Sequence, residues 1–242
     1  MESFAITDVG VHREVNQDFV YCNNDPIGLL PNLYIVADGM GGHRAGDFAS
    51  RFSVGVFEEE IKEQRARTTI GAMECAVRQA NERLLKEAAA NPDYEGMGTT
   101  MVAASLTENR LFVANVGDSR LYLMTREGEM RQITQDHSLV EEMILKGELD
   151  RKDAKYHPKK NVITRALGAS EQVVPDFFEV DLEGEEYILM CSDGLTNMVE
   201  DSAIQEVLAL AGMTVEEKAK RFIELANENG GKDNVSVILI HR

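Results

Sequence analysis

The chain has 242 residues, enough for a sizeable core, and 43% of them are apolar, which excludes a disordered protein. The net charge of -17 excludes a broad electrostatic grip on DNA, RNA or anionic lipid, so a phosphate ligand needs a locally positive site. The three cysteines form no Cys-x-x-Cys pair, and no apolar run reaches about 20 residues. The first residues lack a basic and apolar pattern, so we expect no signal peptide. We therefore expect a cytoplasmic protein without a membrane or nucleic-acid partner.

The first half of the chain predicts three strands and two helices. The strands are short apolar runs, partly β-branched and aromatic, at residues 4–7, 19–22 and 33–37. Apolar residues then recur at steps of three and four, which predicts helices around residues 45–56 and 73–88.

The second half predicts two hairpins, three further strands and two helices. The hairpins pair residues 101–106 with 111–116 and residues 121–124 with 130–134. The remaining elements are strands at 177–182, 187–191 and 235–240 and helices at 202–211 and 214–229. Because hairpins join most strands and helices come in pairs, the pattern favours an α+β fold of antiparallel sheets with helices outside. No linker divides the chain, so residues 1–242 are expected to form a single domain.

The segment at about 138–167 differs from the rest of the chain. Ser138 is placed to cap a short helix. The one basic stretch of this acidic protein follows, with Arg151, Lys152, Lys155, Lys159 and Lys160. This segment is either a mobile flap or a solvated surface loop, and composition alone slightly favours the loop.

Four aspartates lie where apolar runs begin or end. They are Asp38, Asp118, Asp193 and Asp233. A single aspartate at such a place is more often ordinary Asp-Gly turn chemistry than a ligand. Four together predict that the strand ends converge, and clustered carboxylates repel unless a cation joins them. Ligands that are all oxygen favour Mg²⁺, Mn²⁺ or Ca²⁺.

The glycine-rich stretch at 39–46 suggests nucleotide binding as an alternative function. It matches neither fingerprint of that class, because residue 44 is not a third glycine and the chain has no Gly-Lys-Ser/Thr phosphate loop. This alternative is therefore disfavoured.

Six short motifs occur in a fixed order. They are Arg13-x-x-Asn16-Gln17-Asp18, Asp38-Gly39-Met40-Gly41-Gly42-His43, Gly98-Thr99-Thr100, Val116-Gly117-Asp118-Ser119-Arg120, Ser192-Asp193-Gly194 and Asp233-Asn234. The ordered set resembles the metal-dependent protein phosphatases of the type 2C family, most of all the compact bacterial members that oppose Ser/Thr protein kinases. The resemblance extends from Asp8 to Ile240.

The resemblance implies a fold and an activity. The fold is a central β-sandwich of two antiparallel sheets flanked by paired helices, a four-layer αββα arrangement with a flap segment. The activity is hydrolysis of phosphoserine and phosphothreonine in proteins by a water that two Mn²⁺ or Mg²⁺ ions activate, with a third ion in bacterial members. The implied partners are phosphoprotein substrates and the opposing kinase, and we expect a monomer. The alternative is an inactive relative that binds phosphoproteins without turnover.

The resemblance also assigns metal ligands. Asp38 would bridge two ions, and the Gly39 carbonyl would bind one of them. Asp193 and Asp233 would complete the shell of the other ion, and Asp18 would act nearby through water.

Other motif residues would contact substrate or a further ion. Arg13 would bind the substrate phosphate, and His43 stands at the position proposed as general acid. Asp118 would help hold the third metal. Asp136-His137-Ser138, just before the flap, is given a structural role. Cys191 lies inside an apolar run and is expected to be core, not a nucleophile.

Overall fold

The computed structural model describes residues 1–42, 45–63 and 66–242. In these ranges the strands are β1 (Glu2–Asp8), β2 (Asp18–Asn23), β3 (Leu33–Met40), β4 (Gly98–Thr99), β5 (Met101–Leu106), β6 (Arg110–Val116), β7 (Arg120–Met124), β8 (Met130–Gln132), β9 (Asp176–Asp181), β10 (Tyr187–Cys191) and β11 (Val235–His241). The α-helices are α1 (Ala45–Glu63), α2 (Thr69–Ala90), α3 (Leu139–Leu145), α4 (Arg151–Ala154), α5 (Asp193–Thr196), α6 (Asp201–Ala209) and α7 (Val215–Glu228).

The strands form two sheets. One has the order β1-β11-β10-β7-β8 and the other the order β2-β3-β5-β6-β9, with β4 paired to β3. Neighbouring strands in both sheets are antiparallel. The two-sheet prediction is therefore confirmed.

The faces of each sheet bury different side chains, because successive residues of a strand point to opposite sides. On β10, Ile188 and Met190 belong to the core between the sheets, whereas Leu189 and Cys191 pack against helices. The side chains of β3 alternate between two cores in the same way, so the second sheet also packs against α1 and α2. Three apolar layers thus separate four structural layers, which confirms the αββα prediction. Each fully buried aliphatic side chain contributes roughly 1.5–3 kcal/mol to folding.

Local caps explain where several helices begin. Ser138 Oγ accepts from Glu141 N at the start of α3, as predicted. Thr214 and Glu217 form a reciprocal capping box at the start of α7. These bonds satisfy amide groups that a helix start leaves without partners.

The flap segment crosses the end of the sandwich where Asp118 and Asp193 lie. It contains α3 and α4, so its basic stretch is partly helical instead of wholly loop. Arg151 pairs with Glu141 at 2.7 Å, and Lys155 pairs with Glu200. A cavity of about 410 Å³ lies between this segment and the start of α6. No helix in the described ranges combines the length and apolarity needed to cross a membrane.

Candidate metal and phosphate site

β2 and β3 place the first two carboxylates side by side. Asp18 and Asp38 are directly paired in the strand register, and Asp18 is only 1% exposed. The predicted strand stops at residue 37, but β3 continues to Met40 because Gly39 pairs with Thr99 of β4. Asp38 thus lies within a paired strand, where its backbone cannot move freely.

Hydroxyl groups orient the backbone and side chains of this pair. Thr100 Oγ1 accepts from the Asp38 amide at 3.0 Å, and Thr99 Oγ1 donates to the Asp38 carbonyl at 2.9 Å. Ser192 Oγ donates to Asp18 Oδ2 at 2.7 Å and accepts from Ser236 N at 3.0 Å. Ser192 therefore links Asp18 to the other sheet.

Asp193 and Asp233 lie next to strands of that other sheet, one just after β10 and one just before β11. Asp193 begins α5 directly after β10, and Asn197 Nδ2 donates to its Oδ2 at 2.8 Å. Gly194 allows close contact with the strand beside it, since a Cβ there would lie 1.9 Å from the Asn234 carbonyl oxygen. The chain segments that carry the two aspartates are therefore in backbone contact.

Asp118 lies on the tight turn between β6 and β7 and is 7% exposed. His137 holds this turn twice, because its Nδ1 accepts from Gly117 N at 3.1 Å and its own amide donates to Gly117 O at 3.0 Å. His137 is buried and burial lowers its pKa. The structure therefore supports the predicted structural role of His137.

The raised pKa of Asp38 indicates that other acidic groups lie close to it. It is raised well above 3.8, first by burial and then by the charges of Asp18, Asp193, Asp118 and Asp233. A charge acts strongly only over short distances, so all four other carboxylates lie near Asp38. This proximity supports the predicted convergence, and the joint role of these groups as metal ligands stays a prediction.

The pKa values of the neighbouring carboxyl groups are raised for the same reasons. Burial raises the pKa of Asp18 to about 7, although hydrogen bonds from Ser192 and Ser236 oppose the change. The pKa of Asp118 is raised to about 8, by burial and then by Asp193 and Asp136. Burial and the Asp233 charge raise the pKa of Asp193. At neutral pH this site carries repulsion that a cation would relieve.

Arg13 is the positive group at the edge of this cluster. Its Nη2 lies 2.9 Å from Asp233 Oδ2, and the two side chains are 50% and 38% exposed. An exposed ion pair of this kind contributes little to stability, so its guanidinium can exchange Asp233 for a bound anion at small cost. The planar guanidinium suits bidentate binding of phosphate.

Gly39 lies where the sequence places it, at the end of β3. A Cβ on Gly39 would lie 2.0 Å from the Gly46 carbonyl, so glycine is needed for α1 to begin against the strand. His43, predicted as general acid, lies outside the described residues.

The donor set fits divalent cations. Oδ1 of Asp18 and Oδ1 of Asp118 are buried and have no hydrogen-bond partner among the described residues. Across the same ranges, no group of three or more His, Cys, Asp or Glu side chains is placed to hold a metal ion as the side chains stand. Asp193 and Asp233 are instead bonded to Asn197 and Arg13. The possible ligand atoms of these aspartates are all carboxylate oxygens, which suits Mn²⁺ or Mg²⁺.

Several supporting residues were not identified from the sequence. Ser192 and Asn197 bind the aspartates directly, and Arg120 makes a bidentate pair with Asp136 beside Asp118. For Arg120, the sequence offered one sign of a role at the site, namely its positive charge beside the Asp118 motif. Cys191 is fully buried, and burial raises its pKa to about 12, so it is core as expected.

Comparisons with known proteins agree with the fold. A sequence model of the Protein phosphatase 2C family matches residues 11–234. The serine/threonine phosphatase stp of Listeria innocua is 43% identical over 242 aligned residues, which cover 98% of this chain and 94% of the relative.

Solved structures are similar over nearly the whole chain. The crystal structure of the Mycobacterium tuberculosis serine/threonine phosphatase PstP/Ppp has a TM-score of 0.88 and 35% identity, with coverage of 98% of this chain and 97% of that one. The catalytic domain of the serine threonine protein phosphatase PstP in complex with two manganese ions has a TM-score of 0.85 and 35% identity, with coverage of 98% and 96%.

Proposed function

The chain belongs to the protein phosphatase 2C family, and we propose that it removes phosphate from phosphoserine and phosphothreonine in proteins. The observation that carries this proposal is the convergence of four carboxylates on Asp38 at one end of the sandwich. Bound Mn²⁺ or Mg²⁺ would supply Lewis-acid activation of the attacking water, and the PstP relative is in complex with two manganese ions.

The proposed metal ligands come from three places in the fold, which are β3, the start of α5 and the residues before β11. Asp38 and the Gly39 carbonyl are presented by β3, Asp193 by the start of α5, and Asp233 by the residues before β11. Asp18 lies against Asp38 on β2 and is proposed to act through water. Because β2 and β3 are paired, the backbones of Asp18 and Asp38 keep their spacing without a bound ligand.

Substrate binding and proton transfer fall to other groups. Arg13 is proposed to leave Asp233 and bind two oxygens of the phosphate, whose charge spreads over its equatorial oxygens in the transition state. His43 is proposed as the general acid that protonates the leaving Ser or Thr oxygen, and its motif position alone supports this role. Such proton transfer typically contributes about 10²–10⁴-fold. Asp118 is proposed as a ligand of a third ion, with Asp193.

The flap segment is proposed to contact protein substrates. Lys160 lines the cavity that also reaches Asp118 and Asp193, and Lys159 is exposed nearby. Within the described ranges neither lysine forms an ion pair, whereas Lys155 is paired with Glu200. Two unpaired cations beside the site of an acidic protein favour binding of acidic polypeptide segments.

The finer statements about partners and location are also proposals. We propose that the protein opposes a Ser/Thr kinase, acts as a monomer and is cytoplasmic. Three free cysteines support a reducing compartment. Oligomeric state can be measured by light scattering, and a dimer at working concentration would contradict the monomer proposal.

The test compares the purified chain with one isosteric variant. With Mn²⁺ the chain should hydrolyse an aryl phosphate and a phosphothreonine peptide, and EDTA should stop both reactions. Asp38→Asn should lower turnover by at least about 10²-fold with its circular dichroism unchanged, because charge stabilisation of several kcal/mol is lost. Asp25→Asn, an exposed aspartate, is the matched control. A folded chain that binds phosphopeptide without metal-dependent turnover would instead be the inactive relative.

A further inference from the structure

The side chain of Asn234 bonds three backbone groups of one loop. We call residues 9–17 the Arg13 loop. Asn234 Nδ2 donates to the carbonyls of Val9 and Val15, each at 3.0 Å, and its Oδ1 accepts from Gln17 N at 2.9 Å. The side chain is 4% exposed, so water cannot replace these partners. The two carbonyls lie on either side of Arg13 in the chain, and one amide group therefore closes the loop.

Backbone contacts press the same loop against the chain before β11. The amides of Val11 and His12 donate to the Gly231 carbonyl at 2.8 and 3.2 Å. Gly10 has φ +77°, and a Cβ there would lie 2.2 Å from the Asp233 carbonyl oxygen. The loop therefore rests directly on the backbone that presents Asp233.

Arg13 itself is not held by packing. Its side chain is half exposed, and among the described residues it pairs with Asp233, the residue before Asn234. The position of the guanidinium therefore depends on the loop backbone, which Asn234 holds on both sides of Arg13. A small shift of the loop would move the guanidinium relative to the metal ligand beside it.

We propose that Asn234 is a positioning residue for phosphate binding, which holds the Arg13 loop so that the guanidinium meets the substrate phosphate beside Asp233. The inference rests on the proposed function and deepens it. Only a primary amide can satisfy this place, because two carbonyls need donors and one amide needs an acceptor. Aspartate has the same shape but donates nothing, and it would set a charged oxygen against two carbonyls.

The test is a double-mutant cycle on aryl phosphate hydrolysis at saturating Mn²⁺. Asn234→Asp alone should raise KM about tenfold, with kcat and the Mn²⁺ concentration for half activation changed less than about twofold. In the Arg13→Ala background the same substitution should change KM less than about twofold, because the group it positions is absent. Asn229→Asp is the control, since Asn229 also donates to a backbone carbonyl, that of Met198, but away from the loop.

The outcomes separate the inference from the proposed function. Equal KM effects of Asn234→Asp in both backgrounds, or a loss of kcat alone, would overturn the positioning role. A wild-type chain without metal-dependent turnover would overturn the proposed function instead. If Asn234→Asp gives no cooperative thermal transition, Asn234→Ser replaces it in the cycle. Serine keeps one donor and one acceptor, so an intermediate rise in KM that depends on Arg13 supports the role, and an independent rise contradicts it.

Discussion

Replacing Asp118 by asparagine should stabilise the metal-free protein, although the residue belongs to the proposed site. Asp118 is buried, and its Oδ1 has no hydrogen-bond partner in the described part of the chain. Burial and then the Asp193 and Asp136 charges raise its pKa from 3.8 to about 8. An asparagine has the same shape without the charge, so Asp118→Asn removes the repulsion and little else.

The sign and size of the effect follow from the pKa. A carboxyl whose pKa is raised by folding leaves the folded state with more bound protons than the unfolded state, so stability falls as pH rises from about 4 to about 8. A tenfold change in a protonation equilibrium is about 1.4 kcal/mol, and four such steps amount to about 6 kcal/mol. Asp193 shares this repulsion with Asp118. We therefore expect Asp118→Asn to recover about 2–4 kcal/mol at pH 8 but only about 1 kcal/mol at pH 5, where the native carboxyl keeps its proton and the unfolded one has just lost it.

The assay is thermal unfolding in EDTA at both pH values. For a chain of this length we expect Tm to rise by about 5–10 °C at pH 8 and by about 2–4 °C at pH 5. Asp25→Asn, at an exposed position, should shift Tm by less than about 2 °C at either pH. An unchanged or lower Tm for Asp118→Asn at pH 8 would refute the view that mutual repulsion destabilises the cluster.

Three further predictions concern backbone contact, phosphate binding and substrate choice. Gly194→Ala places a Cβ 1.9 Å from a carbonyl oxygen, so it should lower the free energy of unfolding in urea by about 3 kcal/mol or more. Gly55→Ala meets no atom within 4 Å and should stabilise α1 by about 0.5–1 kcal/mol. Similar effects of the two substitutions would contradict the close contact at Gly194. Arg13→Ala should raise KM for aryl phosphate about 10–100-fold with a smaller change in kcat, and unchanged constants would remove Arg13 from the site. Replacing Lys159 and Lys160 together by glutamine should change kcat/KM for phosphoproteins more than for aryl phosphate, and equal changes would count against a substrate-binding flap.

Much of the fold could be predicted because its strands are apolar runs bounded by polar turns. The strands at 101–106 and 187–191 have the predicted bounds. β3 is longer than predicted because Asp38 and Gly39 gain partners on β2 and β4, and residue 37 is only where the apolar composition ends. Pairing with a distant strand leaves no local pattern, so composition places the end too early.

The site residues that form a repeated pattern in the sequence were predicted, whereas those whose role depends on one contact were missed. Four aspartates at strand ends form a pattern that can be recognised before the strands are arranged in space. Ser192 has no such pattern, because its partner Asp18 lies 174 positions away. Asn234 was visible only as the neighbour of Asp233, since the groups it binds are backbone amides and carbonyls that every residue possesses. Supporting contacts of this kind become evident only after folding.

The central claim is that Asp38, Asp193 and Asp233 together hold divalent ions. Equilibrium dialysis of the purified chain with Mn²⁺, followed by metal analysis, tests it most directly. We predict at least two ions bound per chain, and the loss of at least one ion in Asp193→Ala while circular dichroism stays unchanged. A chain that binds no Mn²⁺, or an Asp193→Ala variant that binds as many ions as the original, would contradict the account.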